Sequence, residues 1–192
     1  MEKFNWTGMR VPICPKCLMV SDEIEYKHHI SKCKPVFSSD GNQDVKTDQQ
    51  QEIAIQFAIF SKNETGKDYR SVTKKMFNEG LRAFIFVDKY HPIGFIPFKK
   101  VVLEDLREIY VVCDMFTFPK FRGRGIASDL LNFGIEQLKI DRKNIACTFP
   151  VEKSAQNIIL NNAIENVIRV RGNFSRKFIK EELSRYWVES AK

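Results

Sequence analysis

The chain has 192 residues, 43% of them hydrophobic, with 16 Phe, a formal net charge of +7 and a pI near 9.1. That length suits one ordinary domain with a small appendage, and the apolar content supports a real core. No apolar run approaches the ~20 residues that span a bilayer, which excludes a helical membrane protein.

The first residues, MEKFNWTGMRVPICPKC, lack a signal-peptide h-region, so the expectation is an intracellular protein of the nucleus or cytoplasm. In a reducing compartment, five cysteines read as thiols or metal ligands rather than as a disulfide framework. Charge is unevenly spread. Residues 1–50 hold seven basic and seven acidic side chains, whereas the remainder holds 24 basic against 17 acidic. A surplus of that kind suits a phosphate-bearing ligand and equally a nucleic-acid surface.

The first informative stretch is ICPKCLMVSDEIEYKHHISKC, residues 13–33, with the spacing C-x2-C-x11-H-x3-C. Cys14, Cys17, His29 and Cys33 are the expected ligands of a tetrahedral zinc site. A helix starting near Asp22, with Glu25 in capping-box position, puts His29 and Cys33 on one face. His28 is the competing ligand. A closed four-ligand site is structural, and a module this small needs its metal to fold. The segment is neutral and its helix begins DEIE, which disfavours DNA. Docking onto the rest of the chain or gripping a protein partner fits better. Residues 1–34 are therefore read as a zinc finger, and the polar, turn-rich residues 35–51 as a linker.

From Glu52 onward, EIAIQFAIF (52–60) reads as a strand or a buried helix segment, and 71–80 as a helix ending at Gly80. RAFIFVDKYHPIGFIPF (82–98) predicts two strands joined across KYHPIG. EIYVVCDMFTF (108–118) predicts a strand, 127–140 an amphipathic helix, 143–150 a buried strand and 152–167 a helix. Between strand and helix lies FPKFRGRGIAS. Its glycines allow close approach to the backbone, its arginines add charge, and the helix N-terminus offers unpaired amides. Together they make a site for a phosphate or pyrophosphate. Neither the GxxxxGK(S/T) nor the GxGxxG phosphate-loop pattern fits.

Arg122-Gly123-Arg124-Gly125-Ile126-Ala127 resembles the acetyl-CoA signature R/Q-x-x-G-x-G/A of the GNAT acetyltransferase superfamily, here preceded by Thr117-Phe118-Pro119. The resemblance implies an α/β (α+β) fold over residues 52–192, a mixed sheet flanked by helices, with the finger in front. It implies that the 108–118 and 143–149 strands splay apart to admit acetyl-CoA as cosubstrate. The backbone of Met115, Phe116 and Thr117 would then pair with the pantetheine arm. The amides of Arg122, Gly123, Arg124, Gly125, Ile126 and Ala127 would hold the pyrophosphate, and Asn157 would contribute from the last helix. The chemistry implied is direct attack of a deprotonated amine on the thioester.

Many members of that superfamily place a glutamate base where this chain has Val111. The alternatives nearby are Glu108, Asp114 and Cys113. Strand alternation puts Val111, Cys113, Met115 and Thr117 on one face and Asp114 on the other. Cys113, with a reference pKa near ~8.5, either relays a proton or simply packs. The tyrosine that often protonates the leaving thiolate is missing from 152–167.

The finger-plus-core layout is similar to cohesin acetyltransferases and to MYST lysine acetyltransferases. RGRGIASDLL followed by IACTFP is similar to the former, with Cys113 and Phe149 where that family has its catalytic serine and aspartate. CDMFTF is similar to a strand of alpha-tubulin acetyltransferases, with Thr148 where they have an acid. The resemblance implies a zinc-finger protein N-acetyltransferase acting on lysine of a protein of the histone, cohesin or tubulin class. The alternatives are a degenerate acetyltransferase fold serving as a binding or adaptor module, a nucleic-acid-binding finger with a basic body, and a small-molecule acetyltransferase.

Overall fold

The computed structural model describes residues 7–9, 12–20, 23–66, 72–102, 108–148, 157–158, 161–162 and 166–168. In chain order come α1 (Glu23–Lys32), β1 (Gly41–Asp44), α2 (Asp48–Thr65) and α3 (Lys74–Asn78). They are followed by β2 (Arg82–Asp88), β3 (His91–Val102), β4 (Glu108–Val112), β5 (Phe116–Thr117), α4 (Ile126–Leu138), β6 (Ile145–Thr148) and β7 (Asn166–Ile168).

The strands form one mixed sheet in the order β1-β2-β3-β4-β6-β7, with β5 beside β3. Pairing is antiparallel from β1 to β4, and parallel from β4 to β6 and β6 to β7. Parallel neighbours need a crossover, which the segment carrying α4 supplies between β4 and β6. The mixed sheet with flanking helices is the architecture expected from the sequence.

The 82–98 hairpin forms, with a tighter turn than its sequence suggests. Lys89 and Tyr90 both have positive φ, 50° and 65°, as a two-residue type I′ turn requires. His91, Pro92, Ile93 and Gly94 therefore belong to β3. Register assigns the sheet's two faces. Phe84 and Phe98 share one face and meet Phe133 of α4 or each other edge-on, at 5.7 Å between Phe84 and Phe98. Phe95 faces the other way and stacks on Phe57 of α2 at 5.3 Å. Phe57 and Phe60 of α2 also touch Phe116 and Phe118, so the aromatic load lies mostly between α2 and β3–β5. Each such ring contributes about 1.5–3 kcal/mol by burial, and each favourable ring pair about 0.5–1.5 kcal/mol more.

Three expectations change. Residues 35–51 are no linker: they hold β1, the buried Phe37 and Val45, and the start of α2. Thr47 and Gln50 form a reciprocal capping box there, which settles 52–60 as helix rather than strand. The predicted 152–167 helix is helical at 157, 158 and 161, but Asn166 and Val167 lie in β7, beside β6. The 108–118 strand is interrupted at 113–115. Asp22, Phe149 and 169–192 lie outside the described residues.

Gly134 is where α4 meets the sheet most closely. A Cβ there would lie 2.4 Å from a ring carbon of Phe98 and 3.0 Å from Phe84. Gly134→Ala is expected to lower stability by about 1–3 kcal/mol through overpacking, read as a shifted midpoint in urea unfolding; an unchanged midpoint would show that the helix can move away freely.

Candidate active site and metal centre

The interruption in the 108–118 strand is a bulge. Val112 pairs with Phe98 and Phe116 with Phe95, so β4–β5 spends one more residue than β3 over the same span. The extra residue reverses the alternation beyond it. Val111 lies on the face of Phe95 and α2, whereas Thr117, opposite Gly94, lies on the face of Phe98 and α4. The expectation that Val111 and Thr117 share a face is therefore corrected.

Pairing between β4 and β6 runs over Tyr110–Ile145, Val111–Ala146 and Val112–Cys147, and stops at the bulge. Beyond it, among the described residues, β5 pairs with β3 alone, which leaves a gap on its other side. The Phe118 amide donates to Ile93 O at 3.0 Å. By alternation, the Met115 carbonyl and the Thr117 amide face away from β3, whereas the Met115 amide goes to Asp114 Oδ1 and Thr117 O accepts from Arg122 Nε.

The three candidate proton-handling residues occupy different places. Asp114 is buried, and its Oδ1 accepts from Ser61 Oγ and from the Met115 amide, each at 2.9 Å. It ties the bulge to α2. Cys113 is fully buried and its Sγ donates to Val111 O at 3.4 Å. Glu108 lies on the opposite face from Val111 and pairs with Lys100 at 2.6 Å. Cys147, beside Val112, is pushed up to about 12 by burial and by Cys113.

After β5 a short 3-10 turn, Pro119–Phe121, leads into the arginine–glycine loop. Gly123 and Gly125 have φ of 74° and 80°, and added side chains would meet nothing within 4 Å. Glycine is thus required by conformation, over open space. The Asp129 amide donates to Gly125 O, starting the helix ladder. Among the described residues, the amides of Gly123, Arg124, Gly125, Ile126, Ala127 and Ser128 have no partner. They sit at the N-terminus of the 13-residue α4, where the helix dipole favours an anion.

Arg122 is differently employed than expected. Its amide donates to Pro119 O, its Nε to Thr117 O at 2.9 Å and its Nη2 to Glu64 Oε2 at 2.6 Å. It braces the loop against α2. The guanidinium of Arg124 lies over the Phe121 ring at 5.2 Å. Asn157 is exposed, in a helical segment fastened to α4. Arg142 does the fastening, with bonds to Asn162 O and Asn132 Oδ1 at 2.7 Å each. The loop's near shoulder is covered by residues 7–9: Lys120 donates to Thr7 O at 3.2 Å, and Gly8 lies against Pro119 and Lys120.

Ser61 and Glu64 escaped the sequence reading. Ser61 interrupts the apolar stripe of α2, and Glu64 follows one turn later. The signal was visible only once 48–65 is known to be helical.

At the other end of the chain, Cys14, Cys17, His29 and Cys33 converge, their ligand atoms all within 4.8 Å of one another. A tight turn builds the first half: Leu18 donates to Cys14 O and Cys14 to Met19 O, with Leu18 at φ 61°. α1 supplies the second half, and Lys16 Nζ caps its end through Ile30 O and Cys33 O. His29 Nε2 lies 3.1 Å from Cys17 Sγ, while His28 turns outward to Lys32. The choice between the two histidines falls on His29. Hydrogen bonding from the Cys17 thiol, aided by the Lys16 and Cys17 amides, outweighs burial and lowers the Cys14 thiol to about 4, and Cys17 rises in turn. Tetrahedral zinc with bonds of ~2.3 Å to sulfur spaces its donors about 3.8 Å apart, which this cluster accommodates.

Asp114→Ala strands the Ser61 hydroxyl and the Met115 amide. It is expected to destabilise by about 1–3 kcal/mol in chemical denaturation, with hydrogen exchange at 113–117 accelerated; protection unchanged at those amides would show that the bulge holds itself.

The model of the acetyltransferase (GNAT) family matches residues 49–157, more than half of the chain. Among solved structures, the acetyltransferase domain of xEco2 bound to a CoA conjugate is 13% identical with a TM-score of 0.53, over 69% of this chain and 95% of that one. A predicted acetyltransferase from Clostridium acetobutylicum with acetyl-CoA is also 13% identical with a TM-score of 0.53, over 69% and 94%. An aminoglycoside acetyltransferase from an uncultured soil metagenomic sample is 10% identical with a TM-score of 0.53, over 70% and 93%. Identities this low speak for the fold alone. No curated protein matches the chain. Among the described residues, no helix is long and apolar enough to cross a membrane. The family match spans β2 to β6 and includes the bulged strand, the glycine loop and α4, and on that ground the chain belongs to the GNAT acetyltransferase family.

Proposed function

We propose that the protein is an acetyl-CoA-dependent N-acetyltransferase, that its acceptor is a lysine amine of another protein, and that Cys14, Cys17, His29 and Cys33 hold a structural Zn2+. The observation that carries the reading is the run of six amides from Gly123 to Ser128 that have no partner among the described residues, at a helix N-terminus under open space. Unpaired donors in that arrangement suit a pyrophosphate. The gap beside β5 starts where the loop does, so a chain extending from a pyrophosphate on the loop would run along Met115 and Thr117. The Met115 carbonyl and the Thr117 amide suit the amides of a pantetheine arm, and the bulge brings the reacting carbonyl to the end of β4. There the protein's contribution is to align amine and thioester and to stabilise the oxyanion that forms.

The metal would be four-coordinate and closed, so its role is to fold residues 13–33. A finger that buries Ile13 and Leu18 in the common core suits support of the domain and presentation of a surface to a protein. A second reading, a fold kept for binding without turnover, is favoured by one observation. Asp114 and Cys113 are both buried and bonded, and Glu108 lies on the other face.

Gly125→Glu puts a carboxylate at a left-handed position in the loop. The expected result in calorimetric titration is a loss of acetyl-CoA affinity of about 100-fold or more, with metal content unchanged; undiminished affinity would sink the assignment of the loop. The two readings part on turnover of the wild-type protein, since both bind acetyl-CoA and only the first releases free CoA thiol with a lysine acceptor. For the metal, His29→Ala is expected to lose stoichiometric zinc by elemental analysis while His28→Ala keeps it. Equal loss from both would contradict the ligand set.

A further inference from the structure

Four polar or charged residues are buried among those described: Thr7, Ser61, Lys99 and Asp114. Three of them are accounted for by hydrogen bonds that hold the loop shoulder and the bulge. Lys99 remains. It is 6% exposed, and its Nζ is 3.9 Å from Glu79 Oε2, beyond direct hydrogen-bond distance. A buried ammonium is unfavourable unless paired and hydrogen-bonded, and a spacing of that size is one a bridging water fills.

The place of this pair is specific. Lys99 shares the α2 face with Phe95 and stands in register with Val111 of β4, which is itself in register with Ala146 of β6. The next rung, Val112–Cys147, is the last before the gap. Glu79 is brought there by the end of α3. Its amide donates to Lys75 O and Met76 O, Gly80 turns the chain at φ 89°, and Leu81 donates back to Met76 O before β2 begins. One carboxylate oxygen of Glu79 is turned inward to Lys99. The other lies 3.8 Å from Nζ of Lys75, whose side chain is 85% exposed. The outward oxygen therefore already faces a lysine ammonium from the solvent side, and one that solvent exposure makes replaceable.

From this geometry we infer that Glu79 is the carboxylate that receives the ammonium of the acceptor lysine and takes its first proton, with Lys99 as the positioning residue that fixes the carboxylate from within. The inference rests on the acetyl-transfer reading above and supplies the proton acceptor that Asp114, Cys113 and Glu108 do not provide. The balance is simple. The acceptor ammonium gives one proton to Glu79, directly or through a water, and Glu79 releases it to solvent from its exposed side. The neutral amine forms the C–N bond to the thioester carbonyl. The tetrahedral adduct then breaks its C–S bond, and the second amine proton ends on the departing CoA thiolate.

The test uses the full-length protein with its metal, and poly-L-lysine as a generic lysine acceptor. Acetyl-CoA affinity of E79Q, E79D, K99M and K99R, measured by calorimetry, is expected to equal that of the wild type, which also certifies folding. E79Q is expected to lower kcat about 100-fold with KM for poly-L-lysine changed far less, and E79D to recover part of the loss. K99M is expected to lower kcat about tenfold and K99R to restore it, which a merely structural lysine would not require. E79Q with wild-type kcat overturns the inference while leaving the acetyl-transfer reading standing. A wild-type protein that binds acetyl-CoA and modifies no lysine overturns both the lysine acceptor and the role of Glu79. Absence of acetyl-CoA binding overturns the cofactor reading itself.

Discussion

One extra residue between Val112 and Phe116 governs the rest of the site. Up to Val112 the strand is shared by β3 and β6; after the bulge, β5 stays with β3 and leaves β6 behind. A sheet cannot open at its centre without leaving backbone groups unpaired, and such groups are unfavourable unless something answers them. Asp114 answers one, by taking the Met115 amide, and Ser61 of α2 holds Asp114 in turn. The opening is thus built by the fold rather than tolerated by it.

The bulge also decides which side chains sit where. Because it reverses alternation, Phe116 joins Phe95 on the α2 face, where Phe57, Phe60 and Phe118 complete the cluster. The same reversal turns Thr117 toward Gly94 and Ile126, at the start of α4. Two glycines let α4 come this close: Gly94 near its first residue and Gly134 two turns on. Helix N-terminus, loop and gap are consequently fixed relative to one another by packing on both faces. Arg122 adds a brace from the loop to Glu64 of α2.

What the sequence made legible is what local spacing encodes. The C-x2-C knuckle, the His29–Cys33 pair one helical turn apart, the glycine loop and the amphipathic α4 all depend on neighbours within one element. The bulge does not. It is an offset between β3 and β4, two strands whose pairing no short window contains, so the alternation read along 108–118 came out wrong beyond Val112. β1 was missed because GNQD has no apolar alternation; its strand character comes from the hydrogen bonds that β2 offers it. EIAIQFAIF could be read either way because it is apolar on most sides, and its deciding signal, the Thr47–Gln50 capping box, lay in a stretch taken for a linker. Nothing in local spacing singles out Lys99 or Glu79, since burial of a single lysine leaves no trace in the chain itself.

The unassuming β1 has a consequence for anyone who would trim this chain to the part that begins at α2. A glycine and three polar residues, Gly41 to Asp44, occupy the edge of the sheet, with Asp44 held by Arg82. Behind them lies β2, RAFIFVD, among the most apolar strands of the sheet. A fragment beginning at α2 would bare that strand's open side as a template for other chains to add to. Such a fragment would gather into oligomers or precipitate, and its behaviour would report the lost edge rather than the chemistry of the domain.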